Sequence, residues 1–125
     1  MKVAAGDPVV QSLLEALDGR PAAPTLVWGR GMARVSRDLG QDAPVHTLLQ
    51  DARDVHPKVG QTTHGMTAPD GPFERVVTRL PRSKDALRWR LSSAAAALPE
   101  GGEVWLAGHQ REGIKSSVRL MEEAV

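Results

Sequence analysis

Short β-rich runs alternate with amphipathic helical stripes along this chain, and proline or glycine marks each change; no other feature restricts its fold as strongly. Residues 73–80 carry Val76, Val77 and Thr78 in β-favouring company and stop at Pro81, which cannot continue a central strand. Ser83 is placed to cap a helix in which Leu87, Leu91, Ala94, Ala95 and Leu98 recur on one face, and Pro99 with Gly101 and Gly102 ends it. Glu103-Val104-Trp105-Leu106-Ala107 then reads as another strand, closed by Gly108. Strands separated by helices pair in parallel through right-handed crossovers, so the expected fold is α/β, a doubly wound and mainly parallel sheet.

The first half fits the same scheme with weaker signals. Asp7 and Pro8 form a helix start, and Val9, Val10, Leu13, Leu14 and Leu17 predict a helix over 8–18. Thr25-Leu26-Val27-Trp28 follows a proline-rich break and ends at Gly29, as a buried strand would. Residues 31–39 are weakly helical, and Val45-His46-Thr47-Leu48-Leu49 predicts a strand. Residues 51–72 hold Pro57, Gly60, Gly65, Pro69, Gly71 and Pro72, leaving room for one short strand near 62–66. Ile114, Val118, Met121 and Val125 stripe a final helix. A length of 125 residues with 41% apolar content fits a single domain, 1–125.

Composition narrows the chemistry. There is no cysteine, which excludes disulfides, thiolate metal sites and thiol nucleophiles and fits the cytoplasm. No apolar stretch has signal-peptide or membrane-spanning length. The net charge of +1 is too small for the whole domain to act as a polycation, so any basic surface must be local. Such a surface is suggested over residues 75–90, where Arg75, Arg79, Arg82, Lys84, Arg88 and Arg90 meet one acid, Asp85. Arg82 and Lys84 fall in the loop after the fourth strand, at the carboxyl edge where open α/β sheets bind ligands. Contact with RNA phosphates and an ordinary solvated helix start are both compatible with this pattern. His46, His56, His64 and His109 have no metal-ligand spacing, and Ser116 and Ser117 lack a nucleophile context. Trp28 and Trp105, inside strands, are expected in the core. Trp89 turns away from the leucine stripe and is expected at the surface, as a docking anchor, a base-stacking platform or a ring lying on its own domain.

Leu80-Pro81-Arg82-Ser83-Lys84, Leu98-Pro99-Glu100-Gly101-Gly102 and the run from Val104-Trp105-Leu106-Ala107-Gly108 to Ile114-Lys115-Ser116 resemble the N-terminal domain of the 16S ribosomal RNA guanine-N2 methyltransferases of the methyltransferase-small family. The resemblance is most specific over residues 73–125, while 8–72 agree only in element order. It implies a Rossmann-like class I methyltransferase fold, degenerate and truncated, from a protein with two methyltransferase-like domains in tandem. In that family the second domain binds S-adenosylmethionine, and the first supports its folding and helps hold ribosomal RNA. Catalysis there uses Asn-Pro-Pro followed by Phe or Tyr after the fourth strand, where this chain has Leu80-Pro81-Arg82-Ser83. The cofactor turn is reduced to Gly29-Arg30-Gly31, with Asp51 near the distance of a ribose-binding carboxylate.

The resemblance therefore implies no catalytic residue, no metal and no bound cofactor here, with Gly29, Gly31 and Asp51 as vestigial cofactor candidates. Arg79, Arg82, Lys84, Arg88, Arg111 and Lys115 become the RNA-binding candidates, and Trp89 the anchor for a C-terminal catalytic domain absent from this chain. Val125 would then be a boundary within a longer parent. The alternatives are a stand-alone interaction module that kept the fold, and a divergent active methyltransferase.

Overall fold

The computed structural model describes residues 8–49, 53–54, 56–65, 68–69, 71–81 and 83–108. Its elements run α1 (Pro8–Leu17), β1 (Thr25–Trp28), α2 (Ala33–Leu39), β2 (Val45–Leu49), β3 (Gln61–His64), β4 (Arg75–Arg79), α3 (Lys84–Ala97) and β5 (Glu103–Ala107). The strands form one sheet in the order β3-β2-β1-β4-β5, and every pairing is parallel. The order reverses at the β1–β4 junction, so their carboxyl ends open a crevice between connections that leave in opposite directions. The expected cap at Asp7 and the final helix around Ile114 lie outside the described residues.

Alternation along the strands divides the core between the two faces. Val27, Val45, Val77 and Ala107 pack with Val9, Val10, Leu13 and Leu17 of α1 and Val35 of α2. Leu26, Trp28, Leu48 and Val76 face the other way, with Phe73 and Ala94, and Leu80, Leu87 and Leu91 continue that layer along α3. Trp28 is fully buried, as its strand position predicts. Trp105 is only half-buried, because β5 lies beside β4 alone among the described strands and the Arg20 guanidinium, 5.2 Å from the ring centre, forms part of its cover.

The caps explain two boundaries. Ser83 accepts a 3.0 Å hydrogen bond from the Ala86 N–H and starts α3 as its sequence position predicts. Leu98, expected on the helical stripe, is instead the C-cap in an extended conformation, since Pro99 disfavours a helical residue before it. It still packs half-buried beside Ala97 and Val104.

Arg75 and Arg90 correct the reading of residues 75–90 as one basic surface, because both are buried. Arg75 stands in register with Glu103, donates to its Oε1 at 3.3 Å and donates to the Pro21 carbonyl at 2.9 Å. Glu103 also accepts from Trp105 Nε1 at 3.2 Å and Arg20 Nη2 at 2.9 Å. These contacts, the Trp105 hydrogen bond foremost, hold its carboxyl below the usual range against some opposing desolvation.

A carboxyl depressed on folding adds stability above its unfolded pKa, about 4.3 for Glu, and loses it as pH falls through the lower folded value. Glu103→Gln should therefore melt below the wild type at neutral pH, with the gap closing under acid. The side chain is 40% exposed, so the gap should be modest. Melting curves across acid pH check this, and a gap independent of pH would remove the charge from the explanation.

Candidate functional site

Parallel sheets present strand ends and loop amides at one edge, so the crevice at the β1–β4 junction is where this fold can hold a ligand. β1 ends at Trp28, in register with Thr78 of β4, and the chain turns through Gly29-Arg30-Gly31 before α2. Gly29 has φ +135° and Gly31 φ +68°, conformations that side chains resist. A Cβ at Gly29 would lie 2.8 Å from Arg79 Cβ, so glycine is also required for the close approach of β4. Glycine at both positions thus sets the shape of the turn.

Its surroundings come from this chain's own side chains. The Gly31 N–H donates to both carboxylate oxygens of Asp54, at 3.2 and 3.3 Å. Arg79, half-buried, runs along the turn, with Nη1 3.5 Å from where a Gly31 Cβ would be. Beneath them, Arg90 reaches from α3 and donates Nη1 to the Arg79 carbonyl at 2.8 Å and to Thr78 Oγ1 at 3.3 Å. Its guanidinium lies 5.2 Å from the centre of the Trp28 ring. Burial, then the neighbouring Arg30, lowers the Arg90 pKa to about 10, which leaves it a cation at neutral pH. Three guanidiniums and one carboxylate therefore gather at the end of β1, an arrangement suited to holding an anion.

The sequence candidates separate spatially. Gly29, Gly31 and Arg79 meet at the crevice, while Lys84 and Arg88 are exposed on α3. Asp51, Arg82, Arg111 and Lys115 lie outside the described residues. Trp89 is 54% exposed, away from the leucine stripe. Sequence reasoning missed Arg30 and Asp54. Arg30 had a signal in its place between two glycines; Asp54 had none, because residues 51–72 carry no periodicity that would aim an acid at the β1 turn.

Other chemistry finds little support among the described residues. No group of three acids or histidines could hold a metal ion. His46 donates or accepts at Thr63 Oγ1 across 3.0 Å and meets Phe73 edge-on, with burial lowering its pKa. It lines a cavity of about 420 Å³ with Pro24, Pro44, Pro72 and Phe73, at the amino edge of the sheet and away from the glycine turn. No helix among the described residues is long and apolar enough to cross a membrane.

Three similarities bear on this geometry. A family model described as methyltransferase small domain N-terminal matches residues 23–125. A ribosomal RNA small subunit methyltransferase C of Marinomonas sp. (strain MWYL1) is 38% identical over 50 residues, which are 40% of this chain but only 14% of that protein. The crystal structure of a TehB-like SAM-dependent methyltransferase from Corynebacterium glutamicum ATCC 13032 Kitasato superposes with a TM-score of 0.73 at 17% identity. It covers 97% of this chain and 75% of that one, a likeness of fold.

Proposed function

The chain belongs to the methyltransferase small domain N-terminal family, and on that premise we propose that it is a non-catalytic support and ribosomal-RNA-binding domain of a cytoplasmic, S-adenosylmethionine-dependent ribosomal RNA guanine-N2 methyltransferase. The fold is Rossmann-like, as in class I methyltransferases. The observation that carries the non-catalytic reading is the Gly29–Gly31 turn, whose Gly31 N–H bonds Asp54 and whose flank is lined by Arg79. In a class I site that turn lets the backbone approach the cofactor. Here a ligand would have to displace a carboxylate already bonded to it. Leu80 and Pro81 follow β4 without the Asn that holds guanine, or the aromatic ring that stacks on it, in the family's catalytic domain.

Calorimetry with S-adenosylmethionine tests this directly. No saturable heat is expected from this chain; micromolar binding would return it to the active methyltransferases. The catalytic partner, and the cofactor it would bind, belong to the same reading, supported by the 14% of the Marinomonas relative that the matched stretch spans.

The RNA part of the reading concerns Lys84 and Arg88, exposed on α3. Replacing both by alanine should weaken binding of small-subunit ribosomal RNA fragments, with the slope of log affinity against log salt falling by about one unit for each phosphate no longer neutralised. Filter binding across a salt series reads both quantities. An unchanged affinity and slope would leave these cations with solubility alone.

A further inference from the structure

The Asp54 carboxylate does more than close a cofactor turn. The Gly31 amide lies nearly equidistant from both Asp54 oxygens, 3.2 and 3.3 Å, which is how an N–H addresses an oxyanion as a whole. With Gly29 and Gly31 at positive φ, the turn can expose successive amides to one anion. Arg79 brings Nη1 to the same turn, Arg30 projects from it, and Arg90 lies below.

We propose that the end of β1 is a phosphate-binding site, formed by the Gly31 N–H with the Arg30 and Arg79 guanidiniums, in which the Asp54 carboxylate is a built-in competitor displaced by an RNA backbone phosphate. Phosphodiesters and carboxylates share a charge of one and two terminal oxygens in a fork, and both accept paired guanidinium N–H bonds. A tethered carboxylate competes at an effective concentration of about millimolar, so loose phosphates bind only weakly while a polyanion bound at neighbouring cations enters more readily. The ribosomal-RNA reading supplies only the source of the phosphate; the site itself stands on the turn and its arginines.

The test follows the Gly31 amide resonance while inorganic phosphate, then a short single-stranded oligoribonucleotide, is added at constant ionic strength. The resonance should move with phosphate in the wild type, and at about tenfold lower phosphate in Asp54→Asn, which keeps an oxygen for the amide but removes the competing charge. Arg30→Gln with Arg79→Gln in that background should abolish the shift. Asp42→Asn, an equal charge change at an exposed acid of the opposite edge, should behave as wild type. A Gly31 resonance unmoved by phosphate in both wild type and Asp54→Asn overturns the site, as does an Asp42→Asn response equal to that of Asp54→Asn. Oligoribonucleotide binding that leaves Gly31 unmoved also overturns it, while sparing the RNA reading. A shift with phosphate but no oligoribonucleotide binding keeps the anion site and overturns RNA as its ligand. If Asp54→Asn does not fold, the wild-type phosphate titration decides.

Discussion

Alanine in place of Arg90 should destabilise the domain by about 3 kcal/mol, or roughly 10 °C in melting temperature. Two effects combine. The Arg79 carbonyl loses its 2.8 Å donor and keeps only a longer hydrogen bond from the Thr78 hydroxyl, at 3.3 Å, which itself loses the Nη1 donor; leaving buried acceptors under-satisfied costs about 1–3 kcal/mol. The missing side chain also leaves a void over Trp28 and ends the cation–π interaction. Against these, the protein no longer has to desolvate a cation, the burden that lowers the Arg90 pKa to about 10. Arg90→Met separates the contributions, since it fills the space and removes the charge. It should recover at least about half the loss, and the recovery is packing. Urea unfolding of the three proteins measures this. An alanine variant as stable as wild type would mean that the hydrogen bonds and ring stacking offset only the desolvation of the guanidinium.

Trp89→Ala should do the reverse, leaving the domain's melting temperature nearly unchanged while weakening association with the separately produced catalytic domain proposed as its partner by about 2 kcal/mol, or roughly thirtyfold. Trp89 is 54% exposed, so truncation removes little of what folding buries. Its neighbours one helical turn away, Asp85, Ala86, Ser92 and Ser93, are exposed or half-exposed too, and apart from Asp85 they are small enough to leave the indole prominent. A broad ring with little rotamer freedom to lose is a common anchor at interfaces. Titration calorimetry between the two domains, with melting of each variant as control, gives both readings. Unaltered association would remove Trp89 from the interface, and a large fall in the domain's own melting temperature would make it part of the packing instead.

Element order, the parallel sheet and much of the core are legible in the amino-acid sequence. Those properties depend on local periodicity: the paired valines of residues 76–77, the Leu87–Leu91 spacing and the Ser83 cap each announce their element within a few residues. The family resemblance is legible too, in runs such as Leu98-Pro99-Glu100-Gly101-Gly102, and so is the outward phase of Trp89. Which cations lie inside is settled by folding. Arg75, Arg79, Lys84, Arg88 and Arg90 look alike in a basic run, yet Arg75 is drawn in by Glu103 across a strand pair and Arg90 by acceptors on β4, while Lys84 and Arg88 stay in water. Asp54 reaches the glycine turn in the same way, since its partner Gly31 is 23 residues earlier and nothing between them fixes the path of the loop. Secondary structure follows from interactions between near neighbours, which composition and spacing record. A charge finds its partner only after distant segments have packed, and that pairing leaves no period in the sequence.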